Sequence, residues 1–339
     1  MRSIQTSLVT AFAVVALAAC GGGQGAVPPN GSGSIDPNGS TVAFEKTTLW
    51  VGYRDARINA FAANANGRVT PEKSLSAFPW PSAAELDPGV VDLAVAPDGT
   101  LWVLENSNFA LGGRGWRLFA VARGDSQPEN IYGDNVNSPF AIGLAGDGIM
   151  VGLYTATGGY AIATFPYASS NAPPMRTFTS TTPIYGFAEG NDGHLYVSRP
   201  GGRVDVYDPT STGCCPLRSI MLEGLVGHIV VSAQEFAVGP DGSIYATDLP
   251  GSQANPVMFV NVYAPGSGAV ARRIGPLPAD YSGFGFPVIT VDAKNRLYVA
   301  TTGNIYRFGP SVDGAVTRLG GMIDPTLGRP GAMAVGPRL

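Results

Sequence analysis

Asp92 and Glu105 lie 13 residues apart, and Glu235 and Asp248 repeat that spacing. Four carboxylates arranged as two such pairs can supply oxygen ligands to a hard cation or move protons on a polar substrate. His228, seven residues ahead of Glu235, is the candidate general base beside Glu235 or Asp248. Asn106, Arg199 and Arg54 complete the set of ligand-binding candidates. The competing reading makes the acids solvated loop charges, or partners of Arg54 and Arg199 at a rim. Cys214 and Cys215 are adjacent, so outside the cytosol they either close a strained vicinal disulfide or stay free. Adjacency is not the C-x-x-C spacing of a redox pair, and it keeps the two thiols from sharing one metal comfortably.

Several chemistries are excluded. The chain holds only two His, which leaves no His-rich metal centre. It has no Gly-x-Ser-x-Gly elbow, no His-Glu-x-x-His helix and no phosphate-cradling Gly-rich loop with Lys. Its net charge is -4 with no cluster of Lys and Arg, so a nucleic-acid partner lacks its phosphate contacts.

The elements that must position these residues come from a repeat. Charged residues make up 14% of the 339-residue chain, against 46 Gly and 28 Pro, a composition suited to many short strands and turns. The phrase LAVAPDGTLWV (93–103) returns as IGLAGDGIMV (142–151), FAEGNDGHLYV (187–197), FAVGPDGSIYA (236–246) and ITVDAKNRLYV (289–299). Each is a strand, a turn in which Gly or Asn supplies a positive φ, and a second strand. The second strands are anchored by Leu101, Ile149, Leu195, Ile244 and Leu297, which are 48, 46, 49 and 53 residues apart. A further strand pair follows each phrase, as in VDVYDPTSTGCCPLRSI (204–220) and VNVYAPGSGAVARRI (260–274). Each repeat thus carries four strands, A to D, the length and content of a propeller blade. The tail from Pro330 copies strand A alone, while Thr48–Val51 copies strand B and 58–75 continue as C and D. The two halves make a sixth blade and close the ring. The expected fold is an all-β, six-bladed propeller over residues 42–339, standing as a monomeric ring.

On such a ring the start of strand A and the end of strand B open on one mouth of the central channel, where propellers generally bind ligands. Asp92 and Glu235 fall at the first place and Glu105, Asn106, Arg199, Asp248 and Arg54 at the second; His228 lies in a D–A connection beside them. His194 falls in an A–B turn at the opposite mouth. Trp50, Trp102, Tyr196, Tyr245, Tyr298 and Tyr306 fall on strands and are expected to pack between blades.

The PDGxLYV and VYAPGSGxVxRxI phrases resemble NHL-type repeats and the related gluconolactonase-like propellers. That resemblance covers nearly all of 47–339, and its motifs specify turns and strand pairing. It implies an axial Ca²⁺ or Zn²⁺ site in a hydrolase, with Asp92, Glu105, Glu235 and Asp248 as the candidate ligands. The Glu, Asn and Asp ligand set of those enzymes has no counterpart on successive blades of this chain. The leading expectation is therefore a binding module for a protein, peptide or glycan of the cell envelope, and the alternative a metal-dependent lactonase or related hydrolase with its site at the channel mouth.

The N-terminus carries an address. Met1-Arg2-Ser3 precedes an apolar run from Leu8 to Ala19, too short to cross a bilayer and shaped like a secretory signal. Leu17-Ala18-Ala19-Cys20 resembles the bacterial lipobox, which implies cleavage after residue 19 and a lipid on Cys20. Residues 20–41 are Gly, Pro, Ser and Asn with almost nothing to bury, and are expected to form a tether. Gly21 stands where an inner-membrane retention signal carries Asp, which favours the outer membrane.

Overall fold

The computed structural model describes residues 47–53, 57–64, 70–75, 89–106, 115–134, 136–167, 172–225, 235–249, 257–278, 287–301, 304–310, 317–319 and 330–337. The signal segment, Cys20, the tether, Arg54 and His228 lie outside the described residues.

Every described strand belongs to one of six antiparallel four-stranded sheets. Blade 2 runs from β4 (Gly89–Val95) through β5 (Leu101–Asn106) and β6 (Trp116–Val121) to β7 (Glu129–Asp134). Blade 3 comprises β8 (Ser138–Ala145), β9 (Gly148–Tyr154), β10 (Tyr160–Pro166) and β11 (Arg176–Ser180). Blade 4 comprises β12 (Gly186–Glu189), β13 (Leu195–Arg199), β14 (Arg203–Tyr207) and β15 (Arg218–Met221). In blade 5 the order is β16 (Phe236–Val238), β17 (Ile244–Asp248), β18 (Val257–Tyr263) and β19 (Val270–Pro278). Blade 6 holds β20 (Val288–Val291), β21 (Leu297–Thr301), β22 (Asn304–Phe308) and β23 (Thr317–Leu319). Blade 1 is split as the repeat requires: β24 (Pro330–Pro337) is its inner strand, joined to β1 (Thr47–Tyr53), β2 (Ile58–Ala62) and β3 (Lys73–Leu75). Successive inner strands touch in sequence, and β24 touches both β4 and β20, so the ring is closed.

Strand B explains the packing. It is sandwiched between two neighbouring blades, so both of its faces are apolar and its residues read as an unbroken buried run, as in β13, β17 and β21. Alternation still decides which neighbour each residue meets. Leu49 and Val51 pack on blade 6 with Tyr298 and Ile305, while Trp50 between them packs on blade 2 with Leu101 and Val103. Six apolar clusters result, one in each interface between blades. The six recurrent aromatics are all buried there, none more than 9% exposed. Each such side chain contributes about 1.5–3 kcal/mol of burial. The outer strands β15 and β19 face solvent along most of their length.

The A–B turns show the repeat chemistry at work. Gly99, Gly193 and Gly242 adopt φ of 94°, 73° and 82°, and Asn295 takes 56° at the same point of blade 6. In each turn an aspartate oxygen accepts a backbone N–H just ahead: Asp98 from Thr100, Asp192 from His194, Asp241 from Ser243, and Asp292 from Lys294. Blade 3 departs from this pattern. Ala145 pairs directly with Gly148, leaving Gly146 and Asp147 as a two-residue loop, and Gly148 has no positive φ. The cause is one residue fewer between Ile142 and Ile149 than between Leu93 and Leu101. A Gly242→Ala change forces an L side chain into the left-handed region and is expected to cost about 1 kcal/mol in urea titration. Asn295→Gly should leave the midpoint unchanged or slightly higher, because glycine takes that φ freely.

Candidate functional site

The six inner strands enclose an axial cavity of ≈ 250 Å³ lined mostly by residues of apolar type, with Leu93, Ile142, Phe187, Phe236, Val288 and Met333 among them. Two carboxylates interrupt it. Asp92 accepts the N–H of Leu93 at 2.9 Å and that of Ile142 at 3.1 Å, joining β4 to β8 where both strands carry a bulge. Burial inside the ring pushes its pKa up to about 7, against the pull of those two hydrogen bonds. Glu189, near the other end of the inner strands, accepts the Gly146 N–H at 3.1 and 3.2 Å and is also raised by burial. Glu189 was not among the sequence candidates, although its place beside Gly190 before the A–B turn puts it on the channel wall.

The other candidates stand elsewhere. The fourth residue after each strand-B anchor shares the anchor's face and so points between blades: Tyr53, Glu105, Leu153, Arg199, Asp248 and Thr301 occupy this place in the six blades, each at most 8% exposed. Glu105 therefore lies in the interface with blade 1, on the face of Leu101 and Val103. It is fully buried, neither oxygen has a hydrogen-bond partner among the described residues, and burial pushes its pKa up to about 8. Asp248 is fully buried and ion-paired with Arg273 at 2.7 Å, the guanidinium lying 4.0 Å from the centre of the Phe259 ring. Glu235 is fully buried just ahead of β16, and Asn106 ends β5 half-buried.

The four carboxylates expected to share a cation are thus not brought together. Asp92 lines the channel, whereas Glu105 and Asp248 sit one strand further out and are turned sideways into blade interfaces. Among the described residues, no three His, Cys, Asp or Glu side chains group in a way that could hold a metal ion. His194 lies in its A–B turn at the far face, 3.0 Å from Asp192. Cys214 and Cys215 are free and exposed, so of the two expected states the structure holds the unbridged one.

Arg199 leads to a different cavity, an open groove of ≈ 750 Å³ between blades 3 and 4. Gly201 and Gly202, at φ 79° and 73°, reverse the chain between β13 and β14 and set Arg199 directly opposite Arg203. Like charges in that register repel. Asp205 relieves them: its carboxylate accepts Arg199 Nε at 3.2 Å, Arg203 Nη2 at 3.1 Å and the Ser219 hydroxyl at 2.6 Å. Arg199 also donates to Ser180 Oγ and the Thr182 carbonyl, both at 2.9 Å, and to the Tyr207 hydroxyl at 3.0 Å. It is 3% exposed and works as a staple between the blades rather than as a free ligand. Six threonines and two serines line the same groove, with Tyr160 at one side and Cys214 at the other. At the mouth side Phe140, Tyr154, Tyr160 and Phe187 cluster, with ring centres 5.0 Å apart for Phe140–Tyr154 and 5.3 Å for Tyr154–Tyr160. Burial raises the Tyr154 pKa, and Tyr160 and Tyr185 add to that rise. The readable signals for this groove were the run Thr177-Phe178-Thr179-Ser180-Thr181-Thr182 and the Arg199-Pro200-Gly201-Gly202-Arg203 turn.

No family model matches the chain. No curated protein matches it in sequence. Among solved structures, apo AztD from Citrobacter koseri is similar with a TM-score of 0.51 and 12% identity, over 86% of this chain and 97% of that one. The WD40 β-propeller domain of Doa1 is similar with a TM-score of 0.46 and 15% identity, over 77% of this chain and 74% of that one. At 12% identity the likeness to AztD is one of fold alone, and the likeness to Doa1 is too slight to carry an argument.

Proposed function

We propose that this chain is a binding module of the bacterial cell envelope: a ring tethered through a lipid on Cys20 that recognises its ligand in the groove between blades 3 and 4. The ≈ 750 Å³ groove carries this reading. It falls within the roughly 300–1,000 Å³ range of ligand sites and combines a stapled floor with many small hydrogen-bonding groups. The lipobox-like Leu17–Cys20 and the polar stretch after it support the tether and the envelope location. A hydrolase would need converging ligands or an acid and base at one point, and no described cluster favours that reading over binding.

A bulky side chain in the groove tests it. Thr181 is exposed there, so Thr181→Trp fills space without touching the core. The intact chain and a control altered at exposed Ser126, Ser126→Trp, are each expected to enrich the same component from envelope extract, and Thr181→Trp to lose at least nine-tenths of it. Equal enrichment by all three proteins, or none by any, would remove the groove as the recognition surface.

A further inference from the structure

We infer that the groove takes an acidic oligosaccharide, with a sugar carboxylate on Arg203 and a sugar ring stacked against Tyr154. The inference rests on the binding-module reading and specifies its ligand. Charge is the first argument. Asp205 is the one acid among the described residues lining the groove, and it is shared by two guanidiniums. Arg199 spends its Nε, Nη1 and Nη2 on protein oxygens and is closed off from solvent. Arg203 is different: its side chain is 43% exposed, and it meets Asp205 through a hydrogen bond from Nη2 and an ion-pair contact of 3.1 Å at Nε. One positive charge is left over, on a planar donor able to meet an incoming carboxylate.

Hydroxyls and rings supply the rest. Exposed Thr179, Thr181, Thr182 and Thr212 offer hydroxyl donors and acceptors that rotate to suit, which is what a polyhydroxylated ligand requires, while Thr155, Thr157, Ser180 and Ser219 already bond within the protein. Tyr154 is 42% exposed, an unusual state for a large ring, and it is backed by Phe140 and Tyr160 so that its position is fixed. The C–H face of a pyranose is weakly positive and fits the negative face of such a ring. Tyr160 belongs both to this aromatic cluster and to the groove wall, so the stacking surface and the hydroxyl-lined surface are continuous. A peptide finds less here. Strand addition needs a free edge, but the edge of β11 is engaged at Thr179, whose N–H bonds the Thr212 carbonyl at 3.1 Å.

Calorimetric titration of the full lipid-bearing chain in detergent tests the assignment. The probes are tetramers of galacturonate, mannuronate and guluronate, with cellotetraose and hexaglutamate for comparison. At least one uronate tetramer should bind, and cellotetraose should bind at least tenfold more weakly. Arg203→Gln and Tyr154→Ala should each weaken the uronate at least tenfold while the melting midpoint stays within a few degrees, and Tyr154→Phe should retain binding. Equal binding of cellotetraose would overturn the acidic requirement. Uronate binding unaffected by either substitution would place it away from the groove and overturn the inference. Binding of hexaglutamate instead, lost in Arg203→Gln, would overturn the glycan while leaving a binding module. Failure of every probe at millimolar concentration would also overturn the glycan; the Thr181→Trp capture then decides separately whether the module reading stands.

Discussion

Removing the chain from Pro330 onward should abolish the folded ring rather than loosen it. β24 is the inner strand of blade 1 and pairs with β1 from Thr47↔Pro337 to Tyr53↔Pro330. Its backbone bonds contribute about 1 kcal/mol each. It also places Met333 in the cluster with blade 6, and Ala332 and Ala334 in the cluster with blade 2. Losing both contributions removes a sum comparable to the whole net stability of a domain, about 5–15 kcal/mol. The damage extends beyond one strand, because β4 and β20 each lose a neighbour and β1 becomes an unpaired edge with a buried, apolar sequence. The expected result is insoluble protein or, in any soluble fraction, loss of the near-ultraviolet circular dichroism of the buried Trp50 and Tyr298. A synthetic peptide of residues 328–339 added during refolding should recover part of that signal. A truncated chain that melts within a few degrees of the intact one would show that the ring does not depend on its closing strand.

The second large effect is a pH dependence carried by Glu105. Its pKa rises from 4.5 to about 8 on folding because the carboxyl is buried with no hydrogen bond to hold its charge. The folded ring therefore keeps a proton that the unfolded chain releases. This contribution to stability is fully present below about pH 4.5 and is lost as the pH rises through about 8. At about 1.4 kcal/mol per unit the loss reaches on the order of 5 kcal/mol. Glu105→Gln should match the parent near pH 4 and exceed it by roughly 2–4 kcal/mol at pH 9, measured by urea midpoints across that range. Asp92 acts in the same direction over a lower window, from 3.8 to about 7, but it is present in both proteins and drops out of the difference. A parent and variant separated by the same amount at every pH would show that Glu105 keeps its charge when folded.

Fold and site differed in how far the sequence exposed them, for a physical reason. Turn chemistry and strand alternation are local, so the Asp-Gly phrases located the inner hairpins, and the split repeat at the two ends predicted the pairing of β24 with β1. Only the blade 3 turn departed, through a one-residue deletion visible as the shorter step from Ile142 to Ile149. The separation of the candidate carboxylates has a cause that was also local. Glu105 and Asp248 stand four residues from core anchors, an even spacing, and so must share the anchors' buried face. The groove was of another kind. It exists because the 208–217 connection of blade 4 lies along β11 of blade 3, a contact between segments no local pattern relates. The polar Thr177–Thr182 run and the paired arginines were visible, but their meeting was not.

The split blade also orders events in time. Thr47 and Pro337 stand opposite each other on paired strands yet are separated by almost the whole folded chain, so the first blade to leave the ribosome is the last to acquire its inner strand. Blades 2 to 6 can each assemble from contiguous residues, yet none gains both of its flanking interfaces until its neighbours exist, and the outstanding pairing carries the largest loop-closure entropy in the molecule. A chain with that wiring stays open until synthesis has passed residue 330. Under the proposed envelope location this delay would work in favour of transport, because a translocation channel accepts an unfolded chain and the ring would lock only after both of its ends had arrived on the same side.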